Sequence, residues 1–231
     1  MNSEWMMNMN VMLCAGMGYL LGLINPAYIF GRFHGLDVRK VGSKNAGATN
    51  ATMIMGKKTG FLCMLIDVFK AFTAYKAAVR LFPMLTFAGI LAGVACILGH
   101  IFPAWMHFSG GKGLACMLGM MLAHDWKLFL ALFIAAVVLV LMAGYICLMA
   151  LTLSVAFPAV YVMTTCDLIG FAILLLLIPV VVYKHLPNIR RIIEGGEMRV
   201  SWLWNAKAEE ARVKKHFSSE EWNSLYKKVN R

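Results

Sequence analysis

Long apolar stretches separated by short polar segments make up the chain as far as about residue 183. No charged residue occurs between Leu128 and Met163 or between Leu168 and Tyr183. Apolar runs of about 20 residues are long enough to cross a bilayer as helices. The pattern therefore predicts an all-α protein, a polytopic bundle of about seven membrane spans at Val11–Phe30, Gly60–Phe82, Leu85–Phe102, Leu114–Ala123, Leu128–Tyr145, Cys147–Met163 and Leu168–Tyr183.

The fourth of these spans is short. Only the apolar residues from Leu114 to Ala123 separate Gly113 from His124, which suits a tilted or re-entrant segment better than a full crossing. Six spans with one re-entrant hairpin are therefore the alternative to seven.

Basic residues are distributed unevenly between the two sides that these spans define. One side holds six Lys and Arg in 31–58, one in 103–113 and eleven from Lys184 onward, whereas the other side holds three. Since loops rich in Lys and Arg stay in the cytoplasm, we expect an N-out, C-in orientation with the polar motifs at the cytoplasmic face. The same bias accounts for the net charge of +11 without a nucleic-acid partner.

Composition supports the membrane interpretation. Hydrophobic residues make up 61% of the chain and charged residues 14%, whereas a soluble domain carries about 25% charged residues. Cysteine spacing shows no metal-binding pattern, and we interpret as small packing residues the cysteines in or beside apolar runs, Cys14, Cys63, Cys96, Cys116 and Cys147.

A glycine-rich loop, "FSGGKGLA", precedes the fourth span. Glycines at 110, 111 and 113 allow successive N–H groups to point inward, a helix that starts at Leu114 adds its positive end, and Lys112 adds a full charge. Together these features predict an anion site. A tight turn between two spans is the alternative, since the pattern is not a Walker loop.

Two further polar segments lie on the same predicted side. "RKVGSKNAGATNATMIMGKK", residues 39–58, places hydroxyl and amide groups between basic ends, and the candidates there are Ser43, Asn45, Thr49 and Asn50. "YKHLPNIRRIIEGGE", residues 183–197, places His185 and Asn188 on one face of a helix near two arginines. An ordinary hydrophilic loop and a structural interfacial histidine are the alternatives.

Three ionisable residues lie inside predicted spans. Asp67 and Lys70 are three residues apart and can neutralise each other, as a membrane span requires. His100 lies near the inner end of the third span. A buried structural role is the interpretation that the residues alone favour at both places.

Taken together, these segments resemble the bacterial acyl-phosphate:glycerol-3-phosphate acyltransferase family. The resemblance is carried by "GSKNAGATN" at 42–50, "DVFK" at 67–70, "GHIFP" followed by "FSGGKG", and "HLPNIRRIIEGGE" at 185–197. These motifs occur in the family's order and spacing from about Tyr19 to Met198.

The resemblance implies a multi-pass enzyme of the bacterial inner membrane. Such an enzyme transfers an acyl group from acyl-phosphate to glycerol-3-phosphate, which yields lysophosphatidic acid and inorganic phosphate, and it uses no metal or other cofactor. By this resemblance the catalytic residues would be Ser43, Lys112, His185 and Asn188. The substrate-binding residues would be Lys44, Asn45, Thr49, Asn50, His100, Gly110, Gly111, Gly113 and Lys184, and the structural residues Asp67, Lys70 and Glu197.

The chain departs from the family pattern at several positions. Met53 stands where the family has an arginine, which removes a bidentate phosphate ligand, and Lys44 replaces a usual glycine. Lys184 stands where the family typically has an arginine. These departures leave one alternative, a paralogue that binds phosphate-bearing lipid substrates but turns over slowly or not at all. Polar residues within the spans leave another, a small membrane transporter.

We divide the chain into an acyltransferase-like membrane domain, 1–199, and a cytoplasmic tail, 200–231. In the tail, Ser218 and Glu221 form a possible capping box ahead of an amphipathic helix bearing Trp222, Leu225 and Val229. Such a helix would lie on anionic membrane lipids, and a solvated tail is the alternative. Nothing in the sequence specifies an oligomeric state.

Overall fold

The structure is a computed structural model that describes residues 3–216 and Ser218, and every regular element in that part of the chain is helical. This confirms the all-α prediction. The α-helices are α1 Ser3–Gly22, α2 Pro26–Phe33, α3 Ala48–Met55, α4 Lys57–Leu81, α5 Ala88–Ile101, α6 Leu114–His124, α7 Trp126–Ala143, α8 Cys147–Thr165, α9 Leu168–Leu175, α10 Leu177–Ile193 and α11 Ala206–Lys214. Short 3₁₀ helices cover Ala104–Met106 and Val200–Leu203.

Five helical segments of the described chain are long and apolar enough to cross a membrane, namely Glu4–Phe33, Ala88–Met106, Trp126–Ala143, Cys147–Thr165 and Leu168–Ile193. Helix α4 has 25 residues but carries Asp67 and Lys70 near its middle, and α6 has only 11 residues. The membrane-helix class is thus confirmed. Seven spans and the N-out, C-in orientation stay predictions.

Two boundaries differ from the sequence-based expectation. The first predicted span is interrupted after Gly22, because Asn25 caps α2 by accepting a hydrogen bond from Tyr28 N (2.9 Å) and Pro26 begins that helix. The last predicted span divides into α9 and α10, and α10 continues ten residues beyond the predicted end at Tyr183. The polar segment 39–58, interpreted as a loop, contains α3.

Helix α5 lies at the centre of the bundle, with 12 of its 14 residues buried. It packs backbone to backbone against α1: a Cβ added to Gly22 would lie 2.2 Å from Cys96 O, and one added to Gly99 would lie 2.3 Å from Tyr19 O. In α7, by contrast, only Ala136 and Val140 are buried. The close pairing of α1 with α5 brings the first polar loop next to the end of α5.

The predictions for the cysteines and for the tail can also be compared with the structure. All five cysteines assigned to packing are buried and free of disulfides, as predicted. The chain after α10 folds back onto the bundle, where Val200 N donates to Gly144 O (2.7 Å) and Lys57 Nζ to Leu203 O (2.9 Å). Glu221, the second residue of the predicted capping box, and the amphipathic helix predicted after it lie outside the described residues. The domain division at 199 stays a prediction.

Candidate active site

The glycine loop is fastened to the end of α5. Gly110 N donates to Ile101 O and Gly111 N to His100 O, both at 3.1 Å. A side chain at Gly111 is excluded, because its Cβ would lie 2.1 Å from His100 Nε2 and 2.9 Å from Ala46 O. Gly110 and Gly111 therefore allow the glycine loop to pack closely against the end of α5 and against the first polar loop.

This geometry corrects the predicted anion cradle. The N–H groups of Gly110 and Gly111 are bonded to carbonyls of α5, so they do not line an anion site. The helix start at Leu114 is confirmed: Gly113 precedes it in the left-handed region (φ 86°), and no side chain caps α6. The positive features that remain at this loop are the free N-terminal turn of α6 and the ammonium group of Lys112.

Lys112 begins a chain of polar contacts that ends on α10. Its Nζ donates to Asn188 Oδ1, Asn188 Nδ2 donates to Glu197 Oε1 (2.5 Å), and Arg191 Nε donates to Glu197 Oε2 (2.6 Å). Burial, together with the charge of Arg191, lowers the pKa of Lys112 to about 8. Burial destabilises this ammonium, and an anionic ligand beside it would offset that cost by favouring the charged form.

His185 and Asn188 lie in α10 and are both buried, which confirms the predicted shared face. His185 Nδ1 lies 2.8 Å from Val181 O. Because a carbonyl only accepts, Nδ1 carries the proton and Nε2 is left as an acceptor. Lys184, the preceding residue, places Nζ 5.4 Å from the centre of the Phe102 ring and so links α10 to the end of α5.

The first polar loop is organised by Asn50, which has no exposed surface. Its Oδ1 accepts from Ser43 N (2.8 Å), and its Nδ2 donates to Val38 O (2.8 Å) and Val41 O (3.0 Å). All of its amide hydrogens and its oxygen are thus used to hold the loop. Sequence reasoning placed Asn50 among the substrate-binding residues; the structure gives it a positioning role.

The other candidates of this loop keep their polar atoms available. The hydroxyl groups of Ser43 and Thr49 and the side-chain amide of Asn45 bond no other residue in the described part of the chain. Lys44 is exposed and adopts φ 56°, the left-handed region that favours glycine, so the lysine here costs about 1 kcal/mol. Strain of this kind is retained mainly at functional sites.

Two residues that fasten this loop were missed by sequence reasoning. Asn25, fully buried, donates Nδ2 to Ala46 O (3.0 Å) while its Oδ1 caps α2. Arg39 donates NH1 to Met106 O (2.8 Å) and pairs with Asp37, and this hydrogen-bonded pairing lowers the pKa of that carboxyl. The Asn-Pro pair was a signal for the cap, but nothing local indicated the bonds to distant carbonyls.

Beneath the glycine loop lies a buried ionic cluster. Asp67 Oδ1 is 2.7 Å from Lys70 Nζ and 3.2 Å from His100 Nδ1, which confirms the predicted pairing of the two α4 residues. Lys70 Nζ also donates to the carbonyls of Gly22 (3.2 Å) and Ile24 at the end of α1. The cluster therefore ties α1, α4 and α5 together below the site.

The residues Asp67, His100 and Cys116 have ligand atoms within 4.8 Å of one another, a spacing that fits a metal ion. The ammonium of Lys70 already supplies a cation 2.7 Å from the carboxylate. A second cation in so buried a place would be repelled. His100, assigned to substrate binding by resemblance, is 3% exposed and contacts this cluster and Gly111, so it supports the loop from below.

The three polar segments named from the sequence thus meet at one end of the bundle. The first loop touches the glycine loop at Gly111, and the glycine loop touches α10 through Lys112. The assembled groups are one partly buried ammonium, a linked amide and carboxylate, an imidazole acceptor and free hydroxyls. This combination suits binding of a phosphate-bearing molecule and orientation of a hydroxyl.

The comparisons with known proteins agree with this chemistry. A family model described as glycerol-3-phosphate acyltransferase matches residues 12–195. A glycerol-3-phosphate acyltransferase of Sinorhizobium fredii is 38% identical and covers 82% of this chain and 92% of that protein. Glycerol-3-phosphate acyltransferase 1 of Oceanobacillus iheyensis is 32% identical and covers 83% and 96%.

Two solved structures have a similar fold. Both are crystal structures of PlsY (YgiH), an integral membrane glycerol 3-phosphate acyltransferase. The glycerol 3-phosphate form has a TM-score of 0.78 at 29% identity and covers 85% of this chain and 98% of that chain. The lysophosphatidic acid form has a TM-score of 0.71 at 28% identity and covers 82% and 94%.

Proposed function

The chain belongs to the glycerol-3-phosphate acyltransferase family, and from that premise we propose that it uses an acyl-phosphate as donor and works at the cytoplasmic face of a bacterial inner membrane. It is an enzyme, and its acyl acceptor is glycerol-3-phosphate. The products would be lysophosphatidic acid and inorganic phosphate. The observation that carries the proposal is the partly buried ammonium of Lys112 at the meeting point of the three polar segments.

Lys112 is proposed to hold the phosphate of glycerol-3-phosphate. Both substrates carry phosphate groups, and a dianion is attracted by this ammonium, by the uncapped start of α6 and by Arg191 behind Glu197. Support comes from the two similar structures, which were determined with glycerol 3-phosphate and in a lysophosphatidic acid form.

The proposed reaction is a direct acyl transfer. The glycerol hydroxyl oxygen bonds to the acyl carbon, the bond between that carbon and the phosphate oxygen breaks, and the hydroxyl proton passes to the departing phosphate. His185 Nε2 would accept a hydrogen bond from the attacking hydroxyl. Asn188, bonded to both Lys112 and Glu197, would fix the positions of these two side chains relative to each other. Acceleration then comes from orientation and from neutralising charge on the phosphates.

Ser43, Asn45 and Thr49 are proposed to contact the second phosphate-bearing substrate, since their side-chain polar atoms are not used elsewhere in the described chain. Lys44, exposed between Ser43 and Asn45, would contribute a point charge where Met53 leaves no guanidinium. Asn50, Asn25 and Arg39 would hold this loop without touching substrate.

The orientation proposal rests on charge. Lys and Arg are concentrated on the side where the three segments meet, and such segments remain in the cytoplasm. Glycerol-3-phosphate is water-soluble and an acyl-phosphate is lipid-like, so a site at the membrane surface gives both substrates access. Single cysteines placed in the tail and near Trp5 test the orientation with a membrane-impermeant thiol reagent. The cysteine near Trp5 should react in intact cells, and the one in the tail only after the membrane is permeabilised.

A purified-protein assay tests the donor. The protein in lipid nanodiscs is given glycerol-3-phosphate with either an acyl-phosphate or the matching acyl-coenzyme A, and lysophosphatidic acid and inorganic phosphate are both measured. Equal amounts of the two products from acyl-phosphate alone are expected. Lysophosphatidic acid formed from the coenzyme A ester, with none from acyl-phosphate, would contradict the proposal.

A further inference from the structure

The described part of the tail makes specific contacts with the segment that follows α10. In α11, Arg212 donates NH1 to Gly195 O (2.8 Å) and NH2 to Glu197 O (2.6 Å). The same guanidinium donates to Glu209 Oε1 through NH2 (2.6 Å) and Nε (3.1 Å). Helix α11 lies beyond residues 12–195, the range that matches the family model.

The carboxylate of Glu209 is fixed by several hydrogen bonds. It is 6% exposed, and its carboxylate accepts hydrogen bonds from Arg199 N (2.8 Å) and Ser201 Oγ (3.3 Å) as well as from Arg212. Burial raises the pKa of Glu209, but the hydrogen bonds from Arg212, Arg199 N and Ser201, together with the charge of Arg212, outweigh burial and lower this pKa. A buried carboxylate with every oxygen bonded fixes the guanidinium that faces it.

The two main-chain bonds of Arg212 end on Gly195 and on Glu197, and Glu197 belongs to the site. Gly195, in the left-handed region (φ 79°), turns the chain so that Glu197 returns towards α10. There the Glu197 carboxylate accepts from Asn188 Nδ2 (2.5 Å), and Asn188 in turn accepts from Lys112. Two residues therefore link Arg212 to Lys112: Glu197, which is bonded through its main chain on one side and its carboxylate on the other, and Asn188.

The tail does not depend on Arg212 for its attachment to the bundle. Val200 N donates to Gly144 O (2.7 Å), and Lys57 Nζ donates to Leu203 O (2.9 Å). Val213 in α11 is fully buried. Because these contacts anchor the tail separately, loss of the guanidinium removes the hydrogen bond to Glu197 O while the tail stays in place. Glu197 then keeps its bonds to Arg191 and Asn188 but loses the contact that fixes its main chain from the side of the tail.

We propose that Arg212 and Glu209 are positioning residues of this enzyme, through which the tail holds Glu197 so that Asn188 and Lys112 are set for the phosphate of glycerol-3-phosphate. The inference rests on the proposed role of Lys112 as phosphate ligand. It assigns to the segment beyond the family match a part in substrate binding. Neither residue touches substrate, so both act on the KM for glycerol-3-phosphate more than on kcat.

The test compares Arg212→Gln and Glu209→Gln with Lys214→Gln, which removes a charge from an exposed position on the same helix. We expect Arg212→Gln to raise the KM for glycerol-3-phosphate about tenfold, with kcat and the KM for acyl-phosphate within about twofold. Arg212→Lys should restore little of the lost affinity for glycerol-3-phosphate, since a single ammonium cannot replace the several N–H donors of a planar guanidinium. Lys214→Gln should resemble the unmodified enzyme.

A double variant separates positioning from general stabilisation. If Arg212 acts through the Glu197 side chain, then Arg212→Gln has no further effect on KM in a Glu197→Ala background, where the acceptor for Asn188 is absent. An additive loss in the double variant would overturn the proposal, as would a KM within about twofold of the unmodified value in Arg212→Gln alone.

Binding of inorganic phosphate, measured without turnover, tests the positioning role of Arg212 independently of the proposed acyl transfer. Inorganic phosphate should raise the Tm of the unmodified protein, and it should raise the Tm of Arg212→Gln by less at the same concentration. An equal rise in both proteins, or no rise in either, overturns the positioning role even if acyl transfer is observed. Absence of acyl transfer in a protein with the expected Tm shifts would contradict only the proposed reaction.

Discussion

Lys112 and Asn188 are 76 positions apart in the sequence, and in the structure the ammonium of one donates a hydrogen bond to the amide oxygen of the other. This contact joins the glycine loop to α10 across the end of the bundle. It also orients the amide, so that Asn188 Nδ2 points to Glu197 Oε1 at 2.5 Å. The position of Lys112 is thus fixed by residues that no local motif connects to it.

Replacement of Lys112 by alanine should reduce kcat/KM strongly. The change deletes the proposed charge-assisted contact to a phosphate, worth about 1.5–3 kcal/mol, so we expect a loss of about ten- to 150-fold. If only the KM for glycerol-3-phosphate rises, Lys112 contacts this substrate equally in the bound complex and in the transition state. If kcat falls instead, the contact strengthens in the transition state of acyl transfer. Steady-state kinetics in which each substrate is varied distinguish the two.

Lys58→Ala is the matched control for Lys112→Ala, since Lys58 is exposed on the same side of the bundle and its ammonium makes no hydrogen bond in the described chain. It should change kcat/KM by less than about twofold. If Lys112→Ala also stays within that range in folded protein, the glycine loop is only a turn and the phosphate site lies elsewhere.

Replacement of Met53 by arginine should raise kcat/KM about tenfold, because a guanidinium near the first loop adds a charge-assisted bond to phosphate. Met53 is partly buried against Val38, Ile54 and Met106, so a long side chain can cover this apolar cluster and keep its charged end in water. Met53→Gln supplies length and polarity without charge and should not show the gain. An unchanged rate in Met53→Arg would indicate that the loop now relies on another cation, such as Lys44.

Much of the fold followed from the sequence because lipid imposes a simple pattern. Charge-free runs marked the helices from α7 onward, and the spacing of Asp67 and Lys70 predicted their ion pair, which the structure contains at 2.7 Å. The start of α6 at Leu114 followed from the glycine before it. In each case the determining interactions lie within one helix or at its end.

The corrections come from contacts between distant segments. The N–H groups of Gly110 and Gly111 are taken by carbonyls of α5, and the amide of Asn50 is used on the loop's own backbone. Arg212 reaches Glu197 from a separate helix. A sequence motif states which groups are present, but the choice between holding a ligand and holding the backbone depends on neighbours that only the fold supplies.

Replacement of Asn50 should destabilise the protein more than a typical surface change. Asn50→Ala leaves Val38 O, Val41 O and Ser43 N without their partner in a buried place, which costs about 2–4 kcal/mol for the three contacts together. Asn50→Asp should be at least as harmful, because a carboxylate would face two carbonyl oxygens. Thermal unfolding in detergent measures both.

The control for stability is Thr49→Ala, the neighbouring exposed position on α3, which should shift the unfolding free energy by no more than about 0.5 kcal/mol. Equal Tm values for Asn50→Ala and Thr49→Ala would show that the hydrogen bonds of Asn50 do not hold the loop.

The pH dependence of the enzyme should reveal the ionisation of Lys112. Burial, with the charge of Arg191, lowers the pKa of this lysine to about 8, so the ammonium is present below that pH and is lost above it. Because the proposed phosphate contact requires the charged form, kcat/KM for glycerol-3-phosphate should be level between about pH 7 and pH 8, where the substrate phosphate stays a dianion, and should fall about tenfold per pH unit above pH 8. Lys112→Arg stays protonated throughout and should remove the fall, even at a lower absolute rate. A fall with the same midpoint in Lys112→Arg would assign the ionisation to another group and would separate the lowered pKa of Lys112 from catalysis.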